Sequence, residues 1–270
     1  IVIYFENILS PGSYILNMTF FGNIYSNVSS YVSGFSRIRL NESGHESWFI
    51  WTNNWPTTTR RIFPCWDEPK FKANFTISIR HDRNYRGFSN MRAIEKPVQK
   101  SRYSTTNFYM TPEISTCLVS IGLCKMPTYR KGNIIWRNNV WNDREFYAEA
   151  TNLTKSVMKY FKTYWKQEDR TIQQIVIPGL LDNNIMKWAV TFYREANIIY
   201  SNTSNSAAFI QQSKYSIILS ISRQLGTIVS PLWWNDLWLN NGIATFFCIN
   251  DIVKETIDPR MSNLLIVQTV

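Results

Sequence analysis

Apolar and polar residues alternate along Ser13 to Phe21 (SYILNMTFF) and Phe75 to Arg80 (FTISIR), which is the two-residue period of half-buried β-strands. Asn107 to Met110 and Cys117 to Leu123 are short apolar runs of the same kind. Turn-forming residues separate them, as at Ser10-Pro11-Gly12 and Thr111-Pro112. The pattern changes near residue 145. Thr151 or Asn152 is placed to cap a helix with an apolar stripe of Val157, Met158, Phe161, Tyr164 and Trp165. Gln174 to Pro178 and Trp188 to Phe192 read as short buried strands. Residues 207–225 predict a second helix, and residues 234–252 a third that stops before Asp258-Pro259. The fold class expected is α+β, with an antiparallel β domain over residues 1–145 followed by an α/β domain over 146–270.

Composition narrows the function classes. Hydrophobic residues make up 44% of the 270 and aromatics 15%, enough for a packed core. No apolar run approaches the length of a membrane span, so membrane association is expected only through regions outside this chain. The chain opens at Ile1 without Met or a signal-peptide pattern, as a processed product or an excerpt does. The net charge of +10 is spread in ones and twos, without a basic block, and no nucleic-acid partner is expected. Cys65, Cys117, Cys124 and Cys248 form no C-x-x-C pair and read as buried thiols, with a 117–124 disulfide left open. Glycosylation sequons stand at Asn17, Asn27, Asn41, Asn74, Asn152 and Asn202. About four would arise by chance in so Asn- and Ser/Thr-rich a chain, so the excess points mildly to a secretory route.

Five segments carry a resemblance. They are TRRIFPCWDEPKFK from Thr59 to Lys72, Ser89-Asn90-Met91, TPEISTCL from Thr111 to Leu118, Tyr193-Arg194-Glu195, and WWNDLWLN from Trp233 to Asn240. Together, in this order and spacing, they resemble the aminopeptidase N-like zinc metallopeptidases. The resemblance implies an N-terminal β domain, entered partway, and part of a thermolysin-like catalytic domain. It also implies a cell-surface or secretory location.

The zinc chemistry of such enzymes needs two His at i and i+4 on one helix face, a Glu after the first His as general base, and a downstream Glu as third ligand. Counted back from WWNDLWLN, the resemblance assigns the first His position to Ile218, the base to Leu219, the second His to Ser222 and the third ligand to Asn241. Ile218 has no lone pair, and neutral Ser and Asn oxygens are poor zinc ligands. The family's anchors for a substrate's free amine map to Asn53 and Met186, with Lys187 beside the latter and with Asn183 and Ala189 in place of glycines. The two histidines, His45 and His81, lie in the β domain, His45 reading as part of an exposed loop and His81 as the end of a strand. They offer no relocated pair.

The expectation is a catalytically inactive member, a pseudoenzyme without cofactor, that acts as a binding protein, decoy or scaffold towards peptides or a protein partner in the old cleft. The competing readings are an active zinc metalloaminopeptidase working through a non-standard site, and a degenerate product without function. Asp67 next to Glu68 could form an acid/base pair, but no second set of partners supports it, and both are expected to bond Arg60, Arg61 or loop amides instead. Three structural expectations follow. Ile218, Ser222 and Asn241 should converge with Met186 nearby. The Trp and Leu residues of WWNDLWLN should anchor a core. Phe63, Cys65 and Trp66 should pack.

Overall fold

The computed structural model describes residues 4–6, 8–26, 34–42, 45–54, 56–94, 98–100, 102–138, 144–166, 171–224, 227 and 230–249. Strands come first: β1 (Ile24–Ser26), β2 (Gly34–Glu42), β3 (His45–Asn53), β4 (Lys72–Ala73), β5 (Ser78–Asp82), β6 (Arg86–Ser89), β7 (Val98–Lys100), β8 (Tyr103–Asn107), β9 (Ile114–Ser115) and β10 (Ile121–Cys124). A hairpin of β11 (Thr128–Lys131) and β12 (Ile134–Arg137) follows, then helix α1 (Arg144–Trp165). Next come β13 (Ile172–Ile177), β14 (Asn184–Lys187), β15 (Val190–Arg194), α2 (Glu195–Ile198), α3 (Ala207–Ser222) and α4 (Leu237–Phe247).

Two five-stranded sheets build the layers. The first has the order β1-β2-β3-β10-β6 and is antiparallel except for the β1–β2 pair. The second has the order β11-β12-β13-β15-β14, with β12, β13 and β15 parallel. The long helix at residue 144 therefore covers a sheet that begins earlier, at Thr128. β13 is buried at every position, as suits the centre of a sheet covered on both faces. Alternation sorts the neighbouring side chains. Phe49, Trp51, Phe88, Ile175, Ile177 and Phe192 fill the space between the two sheets, with Phe49 and Phe88 stacked at 5.8 Å. Trp136, Val176 and Tyr193 point the other way, into a core closed by Phe146, Val157 and Phe161 of α1 and Ile217, Ile218 and Ile221 of α3. Each such side chain contributes roughly 1.5–3 kcal/mol when fully buried.

Several local expectations are corrected. Ser13 to Phe21 is not a strand: it pairs with no described segment, and Ile15 and Phe21 are almost wholly exposed. Alternation without a partner strand leaves the backbone to water. The strand expected from Phe75 starts at Ser78, because the Phe75 amide and carbonyl are both taken by Thr111. The run from Asn107 lies mostly beyond the end of β8, and Cys117 begins inside a 3-10 turn rather than a strand. Helix α1 starts at Arg144, seven residues before Thr151. Thr151 is buried inside it, where its hydroxyl accepts a 3.1 Å hydrogen bond from the Trp136 indole instead of capping. Tyr164, expected on the apolar stripe, is exposed. His45 opens β3 rather than a loop. The third helix splits into a 3-10 turn at Trp234–Asp236 and α4, and Asp258-Pro259 lies outside the described residues.

All four thiols are free. Cys117 packs with Ile114, Leu118 and Val119, whereas Cys124 sits in the inter-sheet core, so the two occupy different clusters.

Candidate functional site

Ser206 caps α3, its hydroxyl accepting from the Phe209 amide at 3.2 Å, and this fixes the register of the helix. Positions 218 and 222, one turn apart, then share a face. Ile218 is fully buried among the aromatic residues behind the sheet. Ser222 is also buried, and its hydroxyl donates to the Ile218 carbonyl at 2.8 Å. The same hydroxyl faces the Cys248 thiol, and burial pushes that thiol up to about 11. Leu219 is half-buried and packs on the same core. Asn241 is half-buried on α4, its carbonyl accepting from the Thr245 hydroxyl at 2.8 Å. α4 packs along α3, and its partner for Ser222 is Cys248, two turns beyond Asn241.

Behind this helix runs a buried polar chain. The Tyr193 hydroxyl donates to Gln174 Oε1 at 3.0 Å, Gln174 Nε2 donates to the Thr154 hydroxyl at 2.8 Å, and that hydroxyl donates to the Ala150 carbonyl at 2.8 Å. Burial pushes the Tyr193 phenol up, and Ser220 beside it partly offsets this. Through Ser220 beside Tyr193, the network stitches α3 to two strands and α1.

Met186 lies on β14, half-buried. It borders a cavity of about 10 Å³ shared with Cys117, Ser230, Trp234 and Asn240, room for about one water. Met186 and Asn240, the neighbour of Asn241, thus border one cavity, while Ile218 lies in the core behind the sheet. Lys187 is fully buried, and its ammonium donates to the Cys117 carbonyl at 2.8 Å. Burial pushes it down to about 8, against opposing effects of Cys117 and Asp67. Ala189 adopts φ +59°, the left-handed conformation that glycine takes without strain. Gln224 holds this turn: its Oε1 accepts from the Ala189 amide at 3.0 Å and its Nε2 donates to the Lys187 carbonyl at 2.8 Å. Nothing in the sequence pattern singled out Gln224, because a lone Gln at a helix end has no diagnostic spacing. Asn53 is buried at the end of β3.

The family-like motifs act as joints. Asn90 Nδ2 donates to the carbonyls of Leu118 (2.9 Å) and Trp188 (2.7 Å), and its Oδ1 accepts from the Ser120 amide at 2.7 Å. Asp67 accepts from Arg60 Nε at 2.9 Å and from the Arg60 amide at 3.2 Å, a structural use of the residue weighed as an acid. The Trp234 indole donates to the Asp67 carbonyl at 3.0 Å. Phe63 packs and Cys65 is half-buried, but Trp66 is 74% exposed. In WWNDLWLN only Trp234 packs into a described core, while Trp233, Trp238 and Leu239 are exposed. α4 turns Ala244 inward, with Cys248 buried at its C-cap, Phe247 packed on the helix-side core and Asn240 bordering the Met186 cavity.

This donor set does not fit a zinc ion. Position 218 offers only hydrocarbon, and the Ser222 hydroxyl proton is committed to the helix backbone. Among the described residues no three His, Cys, Asp or Glu side chains converge. His81 is buried between the Thr106 hydroxyl and the Asp82 carbonyl, each at 2.9 Å. Of the sequons, Asn17, Asn74, Asn152 and Asn202 are exposed, although the Asn74 amide donates to the Thr111 carbonyl at 2.9 Å. Asn27 and the Asn41 side chain lie outside the described residues.

Two family models match the chain: the peptidase M1 N-terminal domain over residues 1–118, and the peptidase family M1 domain over residues 149–269. The chain is similar to human glutamyl aminopeptidase, with 30% identity across the whole chain and 29% of that protein. It is 32% identical to aminopeptidase A of Gloydius brevicauda, over 92% of the chain and 26% of that protein. It is 29% identical to the thyrotropin-releasing hormone-degrading ectoenzyme of Rattus norvegicus, over 71% of the chain and 19% of that protein. The chain therefore spans less than a third of the length of these relatives. With both models matched in order along the chain, and with relatives about 30% identical over nearly all of it, the chain belongs to peptidase family M1.

Proposed function

We propose that this chain is a pseudoenzyme of its family, a zinc-free binding protein, decoy or scaffold towards peptides or proteins. The observation that carries this reading is the hydrogen bond from the Ser222 hydroxyl to the Ile218 carbonyl inside an apolar core. A cluster of His and Glu is costly to bury without its metal, and a hydrocarbon side chain with a self-satisfied hydroxyl removes that cost. At the amine-anchor position Met186 offers no carboxylate, and the nearest charge in sequence, Lys187, is cationic and engaged with Cys117. A peptide that entered beside Met186 has to displace side chains, since the cavity there holds about one water.

The two domains assigned to residues 1–145 and 146–270 form the scaffold in this proposal. A cell-surface or extracellular location is part of it too. One relative is named as an ectoenzyme, and Asn17, Asn152 and Asn202 are exposed for glycan attachment.

The test is turnover against binding. The purified protein is given glutamyl, leucyl and arginyl anilides with and without added zinc, then fluorescent peptides with free or acetylated N-termini. The expected result is no chelator-sensitive hydrolysis, and peptide binding that does not distinguish a free from a blocked amine. Hydrolysis abolished by a chelator overturns the proposal in favour of a working peptidase. Absence of both turnover and binding leaves the degenerate-product reading.

A further inference from the structure

A second cavity, of about 410 Å³, opens between the first sheet and the start of the second. Gly87 and Phe88 of β6, the turn at 91–94 and Tyr109 form one wall, and β11, β12 and the start of β13 form the other. It shares no lining residue with the positions matched to the zinc site. Its size is that of a small-molecule pocket.

Its charge is one-sided. Arg92, Arg130 and Arg137 line it, and the described lining includes no carboxylate. Arg137 is the unusual member. Along β12, Ile134 and Trp136 face the helices, so Ile135 and Arg137 face the first sheet. Arg137 pairs in register with Ile175, which belongs to the inter-sheet core. A hydrocarbon would suit that position. Instead a guanidinium stands there, 5.7 Å from the Phe88 ring centroid, with its Nη1 enclosed and lacking any hydrogen-bond partner. The titratable groups facing it are the Cys124 thiol and the cation of Arg86, and burial pushes its pKa down. Arg92 lies over the Tyr109 ring at 4.8 Å, and Arg130 Nε donates to the Gly132 carbonyl at 3.1 Å, which hold two further cations at the rim. A half-buried guanidinium with an enclosed, unpartnered nitrogen and no counterion among the described residues is unfavourable, and a guanidinium fork is matched to planar or tetrahedral oxyanions.

We propose that this cavity is an oxyanion site for a small molecule bearing a carboxylate or phosphate group, with Arg137 as its inner donor and Arg92 and Arg130 as rim cations. The site is independent of the peptidase question, since it involves neither Ile218 nor Met186.

The test uses the 270-residue chain at constant ionic strength, titrated with inorganic phosphate, citrate or chloride. Thermal unfolding is followed by tryptophan fluorescence and phosphate binding by phosphorus NMR line width. Phosphate or citrate is expected to raise Tm saturably, by about 5–10 °C at a hundredfold excess over Kd. Citrate that displaces phosphate from the broadened line identifies a carboxylate preference, and failure to displace it a phosphate preference. Arg137→Met is expected to abolish the shift while unfolding at or above the parent's ligand-free Tm. The double variant Arg92→Ala/Arg130→Ala, altered only at the rim, is expected to weaken binding at least tenfold and serves as the deciding variant if Arg137→Met fails to fold. No saturable shift in the parent protein, an equal shift with chloride, or a shift unchanged in both variants overturns the proposal.

Discussion

The Ser222 hydroxyl donates to the Ile218 carbonyl at 2.8 Å, joining across one helical turn the two positions where the family resemblance places zinc-binding histidines. The bond satisfies a polar group that the surrounding hydrocarbon could not, and Ile218 fills the space beside it. Ile218→His replaces that hydrocarbon with an imidazole that has no polar partner there. It is expected to lower stability by about 2–4 kcal/mol. Ser222→Ala removes donor and packing atom together and should cost within about 1 kcal/mol. Urea unfolding of the two variants checks the ratio, and equal losses would contradict the packing described.

Gly122 lies against Phe88 on the neighbouring strand. A Cβ there would fall 2.1 Å from Phe88 Cζ and 2.7 Å from the Ile50 carbonyl oxygen. Part of that contact is backbone, so the strand itself must move. Gly122→Ala is expected to destabilise the inter-sheet core by about 1–3 kcal/mol. Gly132→Ala meets no atom within 4 Å but adopts φ +66°, so its smaller loss, about 1 kcal/mol, comes from strain alone. A thermal melt of each variant gives the comparison.

Lys187 sets a pH dependence of known sign. Burial holds its folded pKa near 8, below the ordinary value of 10.5. Between those values the unfolded chain binds the extra proton, so stability due to this group rises with pH, and the penalty is fully present below about 8. The buried thiols work in the opposite direction, because their folded pKa values are raised. The parent protein compared with Lys187→Met isolates the lysine. Their stability difference should shift in the parent's favour by roughly 3 kcal/mol between pH 8 and 10.5. A flat difference would show that the ammonium is solvated.

The thiols differ in reach. Cys65 is half-buried, with its pKa pushed up to about 11 by burial and then by the Asp67 charge. Cys117, pushed to about 12, and Cys124 and Cys248 are buried. A thiol reagent at pH 8 is expected to label Cys65 slowly in the native protein and all four cysteines in denaturant without reductant. Only two reactive thiols in denaturant, with Cys65 and Cys248 the two labelled, would indicate a Cys117–Cys124 bridge.

Long periodic elements were legible from residues alone. The helix over 207–222 and the buried strand over 172–177 were expected nearly where they lie. The failures share a cause: a local pattern does not say what it meets. Ser13 to Phe21 alternates without a partner strand, and Thr151 gives its hydroxyl to Trp136 across the fold instead of to a helix end. The aromatic residues of WWNDLWLN look like core anchors, yet Trp238 is 73% exposed, since α4 buries another stripe. The positions that the resemblance matches to zinc ligands could be counted off the sequence, but not that Ile218 sits in the aromatic core while Met186 borders another cavity. The Arg137 cavity was invisible because its walls come from four separate stretches of chain.

Zinc content bears most directly on the central proposal. The purified protein is equilibrated against buffered zinc, dialysed free of unbound metal and analysed by atomic emission. Ile218 and Ser222 offer no ligand pair, so far less than one zinc per chain is expected, with no change in unfolding temperature on adding a chelator. One zinc per chain, removed by chelator with a fall in Tm and lost in Ser222→Ala, would contradict the account.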